Sequence, residues 1–211
     1  RDVALELKYR DKVPSRLIYD ESTKKYKGVE LSDYQTDMYN FKAHEYISDF
    51  IDIYQYGDKS KGIWLHGRFG IGKTYLMAGL ATEIHKRQVG VNFVNASQMM
   101  DDIYATMRSN EDNVQRQIEY LSKSEILIID DLGTENPTKY MLKNVLYPII
   151  KYRGEYNKPT FITSNLTKDD YYRQLNTNKD IQRMDIARLK EQIDVLMIEM
   201  QMIGQNRRDK A

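Results

Sequence analysis

An α/β fold, with a parallel sheet layered between helices, is what this 211-residue chain predicts. Three observations carry that expectation. A glycine-rich loop, Gly67-Arg68-Phe69-Gly70-Ile71-Gly72-Lys73-Thr74, follows the apolar run Ile63-Trp64-Leu65. It opens a segment from Tyr75 to Lys86 in which Leu76, Leu80 and Ile84 recur at helical spacing. Further short apolar runs then alternate with helical patterns, which argues for a sheet covered on both faces.

Residues 1–30 are charged and weakly periodic, with Pro14 among them, and read as an irregular lead-in or linker; residues 31–211 read as the folded domain. From Asp37 to Tyr54, the spacing of Phe41, Ala43, Tyr46, Ile47, Phe50 and Ile51 predicts a helix packed on the sheet. A loop over Gly57 to Gly62 leads into the first core strand. Val91-Asn92-Phe93-Val94 is a second strand, introduced by Gly90. Ser97 to Arg108 and Asn113 to Leu121 read as helices, with Ser97 as an N-cap. Glu125 to Ile129 is a third strand, ending at Asp130-Asp131. Thr138 to Tyr152 is a helix bent by Pro148, and Thr160 to Thr163 is a buried strand ending at Ser164-Asn165.

The glycine-rich octapeptide is a complete P-loop. Its glycines let successive N–H groups turn inward around a phosphate, and the following helix adds the positive end of its dipole. Lys73 reaches toward the β- and γ-phosphates, and Thr74 offers its hydroxyl to Mg²⁺. The chain therefore binds a nucleoside triphosphate through Gly67 to Thr74 with Tyr75 beside them. Asp130, at the end of an aliphatic strand, reads as a second Mg²⁺ ligand, and Asp131 as the general base or water-orienting acid. The competing reading is that both acids cap the strand and the turn at Gly133. Asn165 ends the next strand where an amide can hold the attacking water or touch the γ-phosphate. Alone, Ser164-Asn165 is also ordinary turn chemistry.

Composition narrows the partners. Thirty-two basic and 31 acidic side chains leave a net charge of +1, so no global field draws the chain onto a polyanion. The absence of cysteine excludes disulfides and cysteine-bound zinc, and His44, His66 and His85 are scattered. No apolar run approaches the roughly 18 residues of a membrane span and no signal peptide opens the sequence, so a cytoplasmic protein is expected. The first residue is Arg1, which suggests a fragment.

Taken together, His66-Gly67, Ile128-Ile129-Asp130-Asp131-Leu132-Gly133-Thr134-Glu135, Pro159 to Leu166 and the ending Gly204-Gln205-Asn206-Arg207-Arg208 resemble the DnaI/DnaC family of replicative helicase loaders over roughly residues 28–208. The resemblance implies a three-layer P-loop NTPase of AAA+ type with a reduced C-terminal lid, using ATP and Mg²⁺. It implies delivery of a replicative DNA helicase onto single-stranded DNA, self-assembly with nucleotide between protomers, and a helicase-gripping N-terminal domain that this sequence lacks. It assigns Arg188 a place beside the nucleotide, and Arg207 or Arg208 the role of sensor 2, against the bland reading of a basic tail. Adenine preference is inherited in the same way, with contacts expected in Gly28 to Asp33.

Two departures matter. The family's second arginine, four residues after Arg188, is replaced by Gln192, and Asp131 stands where many AAA+ enzymes carry glutamate. Both favour slow turnover. In such proteins residues 97–121 face DNA; Arg108, Arg116 and Lys123 with Tyr104 and Tyr120 are the candidates, set against Asp101, Asp102, Glu111, Asp112 and Glu119. Two rivals remain: an IstB-like transposition helper on duplex DNA, and a non-hydrolysing module gated by nucleotide.

Overall fold

The computed structural model describes residues 16–55, 59–109, 111–136 and 138–207. Six strands, β1 (Leu17–Tyr19), β2 (Gly62–His66), β3 (Val91–Asn95), β4 (Ile126–Leu132), β5 (Thr160–Ser164) and β6 (Met197–Gln201), pair in parallel in the order β1-β3-β4-β5-β2-β6. Alternation along β2 sends Ile63 and Leu65 to one face and Trp64 to the other. The first face is covered by α1 (Phe41–Ile53) and α2 (Lys73–Lys86). The second is covered by α3 (Ala96–Ser109), α4 (Glu111–Lys123), α5 (Tyr147–Glu155), α6 (Lys168–Thr177) and α7 (Arg183–Leu196). This is the expected three-layer α/β architecture.

Several elements differ from expectation. The lead-in reading fails in its second half: Leu17–Tyr19 pairs with β3, and Thr23 donates its hydroxyl proton to the Phe93 carbonyl at 2.9 Å. Pro14 and the rest of residues 1–15 lie outside the described residues, as does Gly57. The cap of α3 is Asn95, whose Oδ1 accepts the Gln98 amide at 3.2 Å, so Ser97 already lies inside the helix. The expected bend at Pro148 is a π-helical segment, Met141–Leu146. Proline has no N–H to offer Asn144, and the ladder widens until the Tyr147 amide reaches the Leu142 carbonyl five residues back.

A candidate nucleotide site at the carboxyl ends of the strands

Gly70 and Gly72 adopt φ of +77° and +100°, in the left-handed region, and the P-loop wraps on that account. A Cβ on Gly70 would sit 2.0 Å from Asn206 Oδ1, because the C-terminal tail crosses over the loop. Lys73 rises from the first turn of α2 and is 7% exposed. Its ammonium donates to the carbonyls of Gly67 (2.6 Å) and Arg68 (2.9 Å) and to Asn165 Oδ1 (2.9 Å). Asn165 in turn donates through Nδ2 to Asp131 Oδ1 at 2.9 Å. Three candidate residues, one on the first turn of α2, one in β4 and one just past β5, thus form one chain of hydrogen bonds.

A second chain runs beside it. Thr74 and Thr163 both donate to Asp130 Oδ1, at 2.9 and 2.6 Å. Burial pushes the Asp130 carboxyl above its ordinary range, and the Thr163 and Thr74 hydroxyls pull it back. A carboxylate and a hydroxyl side by side are the hard oxygen donors that suit Mg²⁺, which commonly takes one or two protein oxygens and leaves the rest to phosphate and water.

Consecutive strand residues normally point to opposite faces, yet Asp130 and Asp131 both serve this end of the sheet. The register of β4 on β5 shifts between Ile129 and Leu132, and Asp131 takes φ of +59°. The bulge and the left-handed residue re-aim the second acid into the cleft. Asp and Asn tolerate that conformation better than longer side chains, which gives a local reason for aspartate rather than glutamate here.

The cleft has a volume of 480 Å³ and runs from Phe69, Gly70, Gly72, Lys73, Thr74 and Tyr75 past Asp131 and Asn165 to Tyr26, Tyr34 and Arg207. Ile71 is buried beneath the loop, and Arg68 is exposed. Of the segment expected to meet the base, Asp33 lines the wall, while Tyr26, Tyr34 and Gln35 lie just outside the expected range. Tyr34 is buried, its hydroxyl is pushed up to about 12 by burial, and its ring stacks on His44 at 5.8 Å.

Arg207 closes the cleft. Its amide donates to the Gly70 carbonyl at 2.9 Å, its guanidinium to the Gln35 carbonyl (2.6 Å) and Asp37 (2.7 Å), and it lies over the Tyr34 ring at 5.5 Å. Arg208 lies outside the described residues. Arg207→Ala is expected to free the tail without unfolding the protein. A partly exposed pair of this kind contributes about 0.2–1 kcal/mol, so the melting temperature moves little. Protection of the backbone amide at position 207 in hydrogen exchange should collapse in this variant relative to wild type; an unchanged rate would show that the backbone holds itself.

Comparison with known families agrees with this geometry. The model of the IstB-like ATP binding protein family matches residues 17–211. The chain belongs to the IstB-like ATP-binding family. Within it, the resemblance to helicase loaders is borne out. A crystal structure of DnaI is 31% identical, with a TM-score of 0.72, over 87% of this chain and 93% of that one. Replicative helicase loader DnaI of Bacillus subtilis is 25% identical over 166 residues, 78% of this chain and 53% of that protein. An ATP-binding protein of an insertion sequence in Mycobacterium tuberculosis is 32% identical over 115 residues, 54% of this chain and 45% of that protein. The chain spans about half the length of these curated relatives. The fold is thus that of an AAA+ P-loop ATPase domain.

Not every candidate reaches the site of this ATP-binding protein. Arg188 is exposed on α7 and is not among the residues lining the cleft. Gln192 is turned inward: its Oε1 lies 2.6 Å from where a Cβ on Gly154 would stand. Of the DNA candidates, Tyr104 is bonded to Thr138 at 2.8 Å and packs on Tyr140, and Lys123 is paired with Glu119. Arg116 and Tyr120 line a shallow groove with Thr106, Asn113 and Gln117, and Arg108 is exposed. Among the described residues, no helix is long and apolar enough to cross a membrane, and no cluster of three metal-binding side chains occurs. No sequence signal marks Thr163 or Tyr34 for the site: Thr163 reads only as the end of a buried strand, and a tyrosine before a helix carries no signal of its own.

Proposed function

We propose that this chain is the ATPase domain of a slow helicase loader, a nucleotide-gated assembly factor that helps place a replicative helicase on single-stranded DNA. The observation that carries the reading is the linked set Lys73–Asn165–Asp131 beside Thr74–Asp130, in a chain whose similarity to DnaI covers most of its length. In this reading Lys73 meets the charge of the terminal phosphates, and Asp131, held by Asn165, orients a water for attack on the γ-phosphorus. Thr74 and Asp130 would hold Mg²⁺, which neutralises phosphate charge when bound. Arg207, already at the mouth of the cleft, is the candidate sensor of the third phosphate, and Arg188 acts only if assembly with a second copy carries it to a nucleotide. Slow turnover is supported by Gln192, which is neutral and packed on α5 where the family carries an arginine. The cytoplasm is the expected compartment.

A second reading has its own support. The family match and the insertion-sequence relative favour a transposition helper that assembles on duplex DNA. Fluorescence anisotropy of labelled single-stranded and duplex DNA, with ATP, with ADP and without nucleotide, separates the two. ATP-dependent binding of the single strand is the expected result. Preference for duplex would transfer the assignment to the transposition helper.

A further inference from the structure

A single hydroxyl links the two acids of the site. Thr163 Oγ1 lies 2.6 Å from Asp130 Oδ1 and 2.8 Å from the Asp131 amide nitrogen. An amide only donates, so Thr163 accepts there and gives its one proton to Asp130. The residue is 1% exposed, sealed between β4 and the P-loop strand, where its backbone pairs with Leu65.

The second of these bonds falls on a strained backbone. A left-handed φ at a non-glycine residue persists only where its surroundings hold it. Around Asp131 the holding bonds are three: its amide to Thr163, its carboxylate to Asn165 at 2.9 Å, and its carbonyl to the Thr134 hydroxyl at 2.9 Å. Two of the three come from β5 or the residue that follows it. The first fixes the backbone; the second fixes the side chain that the backbone presents.

We propose that Thr163 is a positioning residue, whose hydroxyl holds the Asp131 backbone in its left-handed turn and the Asp130 carboxylate behind Thr74, so that the two consecutive acids keep separate tasks. The proposal rests on the ATPase reading of the site. It goes beyond it in assigning the division between the acids to a residue that lines neither the P-loop nor the cleft. Threonine's shape is easily replaced by valine, so the hydroxyl is the part that matters.

The test uses Thr163→Val and Thr163→Ser in the full chain. By NMR on the nucleotide-free protein, the Asp131 amide should exchange about tenfold faster in the valine variant, as expected for loss of one hydrogen bond, and near the wild-type rate in the serine variant. With ATP and Mg²⁺, the valine variant should lose roughly 30-fold or more in kcat, while the affinity for a fluorescent ATP analogue measured without Mg²⁺ shifts less than about threefold. Serine should restore kcat to within a few-fold of wild type. If valine unfolds the chain, Thr163→Ala takes its place. The proposal is overturned if serine is as impaired as valine, if the Asp131 amide is indifferent to the hydroxyl, or if kcat is unmoved. Absence of phosphate release by the wild type would instead sink the ATPase reading, and the exchange measurement would still judge the hydroxyl.

Discussion

Lys73→Ala is expected to reduce phosphate release from ATP by roughly 10- to 100-fold and to weaken triphosphate binding by about an order of magnitude. The ammonium is all but buried, carried on the first turn of α2 and held by two P-loop carbonyls and Asn165. Those oxygens are neutral, and a phosphate oxygen is a better partner for the same ammonium, so the lysine is poised for an anion that enters the loop. Charge-assisted bonds contribute about 1.5–3 kcal/mol each, and a stabilisation of that size at the γ-phosphate corresponds to one or two decades in rate. The fold should tolerate the change, because the cleft admits water where the side chain was. Measured phosphate release and melting temperature therefore separate a lost site from a lost fold. Release equal to wild type from a well-folded variant would leave only the non-hydrolysing module, for which the inward-facing Gln192 is already an argument.

The parts of this site that were legible in the sequence are those where residue type and position coincide with local structure. A strand, a glycine-rich turn and a helix start are consecutive, so Gly67 to Thr74 announced their conformation. Asp130, Asp131 and Asn165 were legible as strand ends because a parallel sheet gathers its strand ends on one edge. What escaped depends on register and on distant neighbours. Leu17-Ile18-Tyr19 gives only three residues of signal inside a charged stretch, and it becomes a strand because β3 offers it an edge. Met197–Gln201 follows α7 without a glycine or proline between them, so nothing local marks where the helix stops and β6 starts. The positive φ of Asp131 follows from the bulge against β5, and bulges are properties of a pair of strands. The role of Tyr34 depends on a tail 168 residues later, where Met202 accepts its hydroxyl proton at 3.7 Å.

The largest effect expected on stability lies at the other end of the strands. Arg153, on α5, is fully buried. Its Nε donates to Thr160 Oγ1 at 2.7 Å, Nη1 to the carbonyls of Leu121, Ser122 and Ser124 at 3.2, 3.2 and 2.8 Å, and Nη2 to those of Glu125 and Pro159 at 3.3 and 2.6 Å. Two of these carbonyls close the last turn of α4, where a helix has acceptors without donors and a dipole that favours a cation. The others belong to the segments that start β4 and β5. One guanidinium thus ties a helix end to the two strands that carry Asp131 and Asn165. Burial pushes its pKa down to about 9, so it remains charged at neutral pH. Arg153→Met fills similar space but leaves that set of carbonyls facing an apolar chain. Breaking a buried polar cluster of this kind costs about 3–5 kcal/mol, against a total stability of roughly 5–15 kcal/mol for a domain. At about 2–4 °C per kcal/mol for a chain of this size, the midpoint should fall by roughly 6–20 °C. Arg153→Lys keeps the charge with three donors in place of five and should recover part of the loss. Urea unfolding of the three proteins decides the matter: a loss below about 1 kcal/mol in the methionine variant would mean that water or local repacking satisfies those carbonyls as well as the arginine does.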